Sequence, residues 1–382
     1  MAGGQVKVLV SPLDWGLGHA TRCVPVVREF LRCGAEVELA VVPANAAFFR
    51  EVFPEVRQRI APGYNIVYPK HGINMPLWLV KKSTHLNAVI RFEHRFAEEM
   101  VARHGYDIIV SDNRFGFYST KAHSVYMTHQ RRIAFPAAFS ALESLGIRWH
   151  NSLMRHFDEV WIPDEERFQG YAGSLSHVEG CPVPVRFVGL LSRFADFDAE
   201  CKSDGISENT NARDGRTGQN VFAIVSGVEP ARTRFETALK EILAQIPGKH
   251  VMALGKPQKG LQVWTEGNIE FHNHMPTEEF ARAVRNADWV ISRGGYSTVM
   301  DMAYLGARCI FVPTPGQYEQ VALAKELASS GYAIHVPAQE LSLKALQKAF
   351  KTDVALPKPP HENALRSTVE DLVHRVSGEG PK

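Results

Sequence analysis

"ADWVISRGGYSTVMDMAYLGARCIFVPTPGQYEQVALAKEL" occupies residues 287–327. An apolar run ends at Ser292, Gly294 and Gly295 permit a tight turn, a helical pattern begins near Ser297 or Thr298, and a second apolar run ends at Pro313. Strand, helix and strand at this spacing form a βαβ unit, which implies a parallel sheet flanked by helices. Glycines at a strand-to-helix turn let backbone N–H groups approach a ligand, and the helix N-terminus beyond them favours an anion. The turn also falls at the carboxyl end of a parallel strand, where open α/β sheets bind ligands.

The same rhythm runs through the rest of the chain. In the first half, "VKVLV" (6–10), "EVELAVV" (36–42), "YDIIVSD" (106–112), "HSVYMT" (123–128) and "EVWIP" (159–163) read as buried parallel strands that end in polar or turn residues. Residues 194–220, "ADFDAECKSDGISENTNARDGRTGQN" from 195 onward, are polar and read as a linker or loop. The strands then resume with "VFAIVS" (221–226), "HVMALG" (250–255), "NIEF" (268–271), "DWVIS" (288–292), "CIFVP" (309–313) and "YAIHVP" (332–337). The expected organisation is a domain over 1–193, the linker 194–220, a second domain over 221–360, and an amphipathic closing helix and tail over 361–382. The fold class is α/β, two doubly wound parallel-sheet domains facing an interdomain cleft.

With 382 residues, 45% hydrophobic and 22% charged, the chain has material for two sizeable cores. A net charge of +2 gives no global field for nucleic acid. Five cysteines, without a C-x-x-C pair, fit free thiols in a reducing compartment rather than a zinc site or a disulfide framework. The N-terminus lacks the apolar core of a signal peptide, and no apolar run reaches the roughly 20 residues that span a bilayer. These features point to a cytoplasmic protein.

Residues Arg293, Gly294, Gly295, Tyr296, Ser297, Thr298 and Asp301, followed by Pro313 and Gln320, resemble the C-terminal donor-binding domain of GT-B glycosyltransferases of family 28. That group includes the bacterial enzyme that adds N-acetylglucosamine to a lipid-linked peptidoglycan precursor. The resemblance implies two Rossmann-like domains and a nucleotide-diphosphate sugar donor, most simply a UDP-sugar such as UDP-N-acetylglucosamine. It implies that Asp301 stands where the family's glutamate holds the ribose hydroxyls, that Glu319 and Gln320 face the donor sugar, and that backbone groups near His272, with Met275, pair with the base. Asp301 in place of glutamate, and Glu319 in place of glutamine, depart from the family's pattern. Read on its own, Asp301 also fits a Thr298-x-x-Asp301 helix-capping arrangement.

"IVSGVEPARTRFE" (224–236) opens the second domain, with Pro230 in the first helical turn. The Ser226 hydroxyl and the N–H groups from Gly227 onward can hold a diphosphate, with charge supplied by Arg232 or Arg234. Glu229 would repel that diphosphate, so its side chain is expected to turn away or cap the helix. "GLLSR" (189–193) aligns with a family element that would bring Arg193 to the phosphates.

The N-terminal "DWGLGHATR" (14–22) also resembles a Gly-x-Gly-His loop of GT-B N-terminal domains, and a very similar loop in nucleotide-sugar hydrolases of the same fold. Pro25 disfavours a helix around it, so the helix is expected to start near Arg22, leaving Gly16 to Ala20 as a loop from which His19 projects. A glycosyl acceptor hydroxyl needs a base, and histidine has a suitable ordinary pKa near 6.5. Asp112, at the end of a strand in the same sheet, is expected to orient His19. Gly16 and Gly18 give a substrate room, and Arg114, with His129 and Arg131 as weaker candidates, is expected on the acceptor side.

No metal or other cofactor is expected: "DFD" (196–198) sits in the polar linker rather than after a buried strand, and helix N-termini with basic residues can stabilise the leaving group. Residues 66–132 carry ten Lys/Arg against five Asp/Glu, and "MPLWLVKKSTHLNAVIRFEHRF" (75–96) mixes aromatic and basic groups. That segment suits either peripheral contact with the inner face of the membrane and a lipid-linked acceptor, or a packed helix with a solvated face. The sequence reading is therefore an inverting, metal-independent glycosyltransferase acting on a glycan, lipid-linked or small-molecule acceptor. A nucleotide-sugar hydrolase and a non-catalytic nucleotide-sugar-binding protein are the alternatives.

Overall fold

The computed structural model describes residues 5–14, 17–63, 75–134, 142–167, 170–195, 218–227, 229–256, 260–360 and 364–378, with backbone alone over 75–84. The chain divides into two compact units: Met1–Arg193 with Pro360–Lys382, and Phe194–Pro359.

The first unit runs β1 (Lys7–Pro12), α1 (Leu17–Arg32), β2 (Glu36–Val41), α2 (Pro43–Val52), β3 (Arg57–Ile60), α3 (Met75–His104), β4 (Ile108–Asp112), β5 (His123–Met127), α4 (Glu143–Met154), β6 (Glu159–Ile162) and β7 (Val185–Phe187). The sheet order is β3-β2-β1-β4-β5-β6-β7, and every pairing is parallel. Val8, Leu9 and Val10 of β1 and Ile108, Ile109 and Val110 of β4 are fully buried, as central strands covered on both faces require. The register pairs Pro12 with Asp112, so both central strands end at the same level.

The N-terminal boundary of α1 differs from the sequence expectation. The helix begins at Leu17, not near Arg22, and carries Pro25 inside it. An interior proline costs about 3 kcal/mol. The helix nevertheless buries Val24, Val26, Val27 and Phe30 almost completely, and each such side chain is worth about 1.5–3 kcal/mol. Packing therefore outweighs the local propensity, and His19 lies in the first helical turn rather than in a loop. At the other end Gly34, at φ +76°, closes the helix: its N–H donates to the Leu31 carbonyl and that of Ala35 to Phe30.

The second unit runs β8 (Val221–Ile224), α5 (Ala231–Leu243), β9 (His250–Ala253), β10 (Val263–Glu266), β11 (Ile269–His272), α6 (Thr277–Asn286), β12 (Trp289–Ser292), α7 (Tyr296–Tyr304), β13 (Cys309–Phe311), α8 (Tyr318–Ser329), β14 (Ile334–His335) and α9 (Leu343–Ala349). Its sheet order is β10-β11-β9-β8-β12-β13-β14, parallel except for the edge strand β10. Val225, Leu239, Met252, Trp289, Ile291 and Ile310 belong to one buried cluster on a face of this sheet.

Phe194, expected in the linker, stacks on Phe280 at 5.8 Å between ring centroids and belongs to the second unit. Residues 196–217 of the expected linker, with the "DFD" string, lie outside the described residues. The closing helix α10 (Ala364–Ser377) returns to the first unit, where it packs on α1. Arg366 pairs with Glu29 at 3.3 Å and Arg375 with Glu159 at 3.1 Å.

Candidate functional site

Among the parallel strands of each sheet the order reverses between β1 and β4 in the first unit, and between β8 and β12 in the second. Ligands of open α/β sheets bind outside the carboxyl ends of the strands at such switch points. Some of the residues singled out from sequence stand at these ends: His19 and Asp112 in the first unit, and Ser226, Gly227, Gly294 and Gly295 in the second.

At the first switch point, Asp112 ends β4 and is fully buried. His19, one turn into α1, brings its Nδ1 to 2.9 Å from Asp112 Oδ2. Arg22, one helical turn beyond His19, donates from Nε to Asp112 Oδ1 at 2.9 Å, and one of its terminal nitrogens bonds the same oxygen. That nitrogen also lies 2.8 Å from His19 Nδ1, and the other lies 3.1 Å from Nδ1 of His129, which follows β5. Arg22 and His129 are buried, whereas 15% of the His19 side chain remains exposed. Burial, and the Arg22 charge after it, hold the His19 imidazole below its ordinary pKa. Burial alone would raise the Asp112 pKa, but the Arg22 charge, the neighbouring His19 and the bonds from both hold it below its ordinary value. The result is a neutral imidazole beside an ionised carboxylate. With the Nδ1 proton on Asp112's side, the Nε2 lone pair is available as a base.

Gly18 lies in the first turn of α1, where its carbonyl accepts the Thr21 hydroxyl at 3.0 Å; Gly16 lies outside the described residues. Arg114 departs from the acceptor-side expectation. It is fully buried, with Nε 2.7 Å from Glu93 Oε1, a bond to the Pro62 carbonyl, and its guanidinium 5.2 Å from the Phe117 ring. A buried arginine needs such a carboxylate, and this one is held inside the unit. Arg193 is the last residue of the first unit's main segment.

At the second switch point, Ser226 and Gly227 follow β8, and Gly294 and Gly295 follow β12. Gly294 sits at φ +71°, and a Cβ there would stand 3.0 Å from the Phe311 ring, so only glycine fits this turn. Gly295 is the N-cap of α7, and Thr298 donates to its carbonyl at 2.9 Å, with Ser297 and Thr298 partly exposed in the first turn. Because Gly295 caps the helix, the Thr298-to-Asp301 capping alternative does not apply; Asp301 is buried in the second turn. Gln320, in the first turn of α8, accepts the Thr314 N–H at 2.8 Å and ties down the loop after β13; Glu319 precedes it, partly buried.

Two expectations about this unit need correction. Arg232 is held by carboxylates: its Nε donates to Glu229 at 2.8 Å and a terminal nitrogen to Glu236 at 2.9 Å. Its charge is neutralised locally and is not presented to a phosphate. Glu229 turns back on its own helix, accepting the Thr233 N–H at 3.2 Å. The main chain near His272 is also engaged: its carbonyl accepts Leu254 N–H, Asn273 N–H donates to Gln262, and the Asn273 carbonyl accepts Lys256 N–H. The His272 ring sits 2.6 Å from Glu270, and with Met275 it lines a cavity of about 460 Å³ beside α6.

Sequence reasoning gave no role to Arg22, or to Arg293 beyond its place in the motif. The signal for Arg22 was its i,i+3 spacing from His19, which puts both on one helix face once the helix starts at Leu17. Arg293 is buried under the Gly294 turn. It donates to the Val312 and Ala231 carbonyls at 3.2 and 2.8 Å and lies 3.8 Å over the Phe235 ring. Burial lowers its pKa to about 10, which leaves it charged at neutral pH. Among the described residues no group of three or more His, Cys, Asp or Glu is placed to hold a metal ion. No helix among them is long and apolar enough to cross a membrane.

Solved structures share this two-unit architecture over nearly the whole chain. Arabidopsis thaliana UGT89C1 superposes with a TM-score of 0.59 at 12% identity, covering 98% of this chain and 100% of that one. The glycosyltransferase SnogD from Streptomyces nogalater gives 0.56 at 13%, covering 99% and 96%. Acinetobacter baumannii MurG gives 0.50 at 14%, covering 98% and 95%. The chain has the GT-B fold. More particularly, residues 236–376 match the glycosyltransferase family 28 C-terminal domain. A curated relative is the UDP-N-acetylglucosamine–N-acetylmuramyl-(pentapeptide) pyrophosphoryl-undecaprenol N-acetylglucosamine transferase of Pasteurella multocida. It is 33% identical over 141 residues, 35% of this chain and 38% of the relative. The enzyme of the same name from Idiomarina loihiensis is 38% identical over 76 residues, 19% of this chain and 21% of the relative. The chain thus spans less than two fifths of the length of these curated relatives.

Proposed function

We propose that this protein is an inverting glycosyltransferase that moves a sugar from a nucleotide-diphosphate donor to an acceptor hydroxyl. The observation that carries the reading is the His19–Asp112 pair at the carboxyl end of a parallel sheet, with a neutral imidazole beside a carboxylate. The acceptor oxygen attacks the anomeric carbon while His19 Nε2 takes the hydroxyl proton. The bond from that carbon to the diphosphate oxygen breaks, its electron pair leaves with the nucleotide, and the configuration inverts. Asp112 orients the imidazole and stabilises its protonated form.

In this reading the second unit holds the donor. The Ser226 hydroxyl and the N–H groups at Gly227, Gly294 and Gly295 take the diphosphate; two helix N-termini, of α5 and α7, follow those turns. Asp301, with Ser297 and Thr298, binds the ribose, and Glu319 and Gln320 the sugar. The likeness of 236–376 to the family 28 domain, and the printed names of the relatives, favour UDP-N-acetylglucosamine as donor and a lipid-linked acceptor. The stretch 75–96 is the candidate for peripheral membrane contact. Its side chains over 75–84 lie outside the described residues, and in the remainder Phe92 is exposed.

The test is UDP release from UDP-N-acetylglucosamine with and without a panel of lipid-linked and soluble glycan acceptors, beside a thermal-shift panel of UDP, GDP and TDP. Acceptor-dependent release and stabilisation by UDP, lost in Asp301→Ala, are expected. Release that ignores the acceptor makes the protein a hydrolase, and binding without release makes it a sensor. Indifference to every nucleotide overturns the donor site.

A further inference from the structure

Building on the reading of His19 as the base, we propose that Arg22 is a positioning residue that sets the charge of the site: the cluster is neutral at rest and carries one positive charge once His19 is protonated. The argument starts from the partners of one nitrogen. His19 Nδ1 lies 2.9 Å from an Asp112 oxygen and 2.8 Å from an Arg22 nitrogen. It cannot donate to the first and accept from the second at the same time. With Nδ1 protonated and bonded to Asp112, Nε2 has its lone pair; with Arg22 donating to Nδ1, the proton sits on Nε2 and the base is idle. Arg22 therefore competes with Asp112 for the tautomer.

It also changes the electrostatics. A plain histidine–aspartate pair goes from one negative charge to neutral when the imidazole accepts a proton. Here the guanidinium already neutralises Asp112, so the same event takes the cluster from neutral to one positive charge. Asp112 and Arg22 are at most 1% exposed, where like charges in contact are poorly screened. Among the described residues, the groups gathered around the His19–Asp112 pair are Arg22 and Cys23 from α1 and His129 after β5. Cys23 adds no charge, since burial and then Asp112 push its thiol well above the ordinary range. Arg22 is the one fixed cation of the set, and together with burial it disfavours the protonated form of His19.

The experiment is an NMR titration of the full-length protein with isotope-labelled histidine, the His19 signal being identified by its loss in His19→Ala. The wild-type midpoint is expected below the ordinary value of about 6.5. Arg22→Gln should raise it by about one unit or more, the size of effect a charge in contact exerts. Arg22→Lys, which keeps the charge and loses the fork, should return it towards wild type. The acid limb of the turnover profile should move with the midpoint. A wild-type midpoint at or above 6.5, or an unmoved midpoint in Arg22→Gln, overturns the inference. If Arg22→Gln fails to fold, the wild-type midpoint and Arg22→Lys decide it. Failure of the base reading is seen separately, as turnover that survives His19→Ala.

Discussion

The two switch points share a topology and differ in chemistry. In the first unit the carboxyl ends of β1, β4 and β5 surround a cluster of ionisable side chains: His19, Arg22, Asp112 and His129. In the second unit the ends of β8 and β12 lead into turns built on Gly227, Gly294 and Gly295, with Arg232 paired to carboxylates and Arg293 buried beneath the Gly294 turn. Under the proposed function the first sheet end moves a proton, which requires side chains with tunable pKa values, and the second holds an anion, which backbone N–H groups and helix ends can do without titrating. The same fold thus supplies two unlike sites because its switch point fixes location and leaves the chemistry to a few residues.

The comparison can be broken most forcefully at Asp112. Asp112→Ala strands a buried guanidinium, so urea unfolding should show a loss of about 3–5 kcal/mol, together with loss of turnover. A loss below about 1 kcal/mol would remove the buried ion pair from the account. His19→Ala should lower turnover on the order of 10²- to 10⁴-fold while leaving UDP affinity unchanged, because the base and the donor site sit on different units. Acid should weaken the first unit. Burial lowers the His150 pKa to about 4, so below pH 6.5 the unfolded chain binds a proton that the folded chain refuses. Stability should therefore fall by roughly 3 kcal/mol between pH 6.5 and 4, with His19, also lowered, acting in the same direction, and Asp112 adding its loss only below about pH 4. His150→Gln should flatten that decline in urea titrations at pH 7 and 4.5.

In the second unit, Gly294→Ala should lower stability by about 1–2 kcal/mol and weaken UDP binding, since the turn needs a positive φ that alanine resists. A variant with an unchanged melting temperature would count against this turn as a strained glycine site. The smallest effect is expected at Arg232: Arg232→Gln removes two ion pairs, to Glu229 and Glu236, each worth under about 1 kcal/mol, and should leave nucleotide affinity nearly as it was. A large loss of UDP affinity would return Arg232 to the phosphate site.

Much of this molecule was legible in the linear chain. Apolar runs bounded by turn residues located the central strands of both sheets, and the residue types at their ends named His19, Asp112 and the Gly294 turn. Three edge strands escaped, β3, β7 and β10, because "RQRI", "VRF" and "VWTE" lie at sheet margins and lack a continuous apolar run. Only tertiary structure decided that α1 runs through Pro25 from Leu17, since the burial that compensates a helix-interior proline comes from distant parts of the chain. The same packing turned Arg22 towards Asp112, bound Arg114 to Glu93 and sent α10 back to the first unit. Sequence by itself determined which residues stand at the ends of the strands, because hydrophobic patterning is local. Tertiary structure decided which charges meet there, because a buried ion pair depends on partners about 90 residues apart, as Arg22 and Asp112 are.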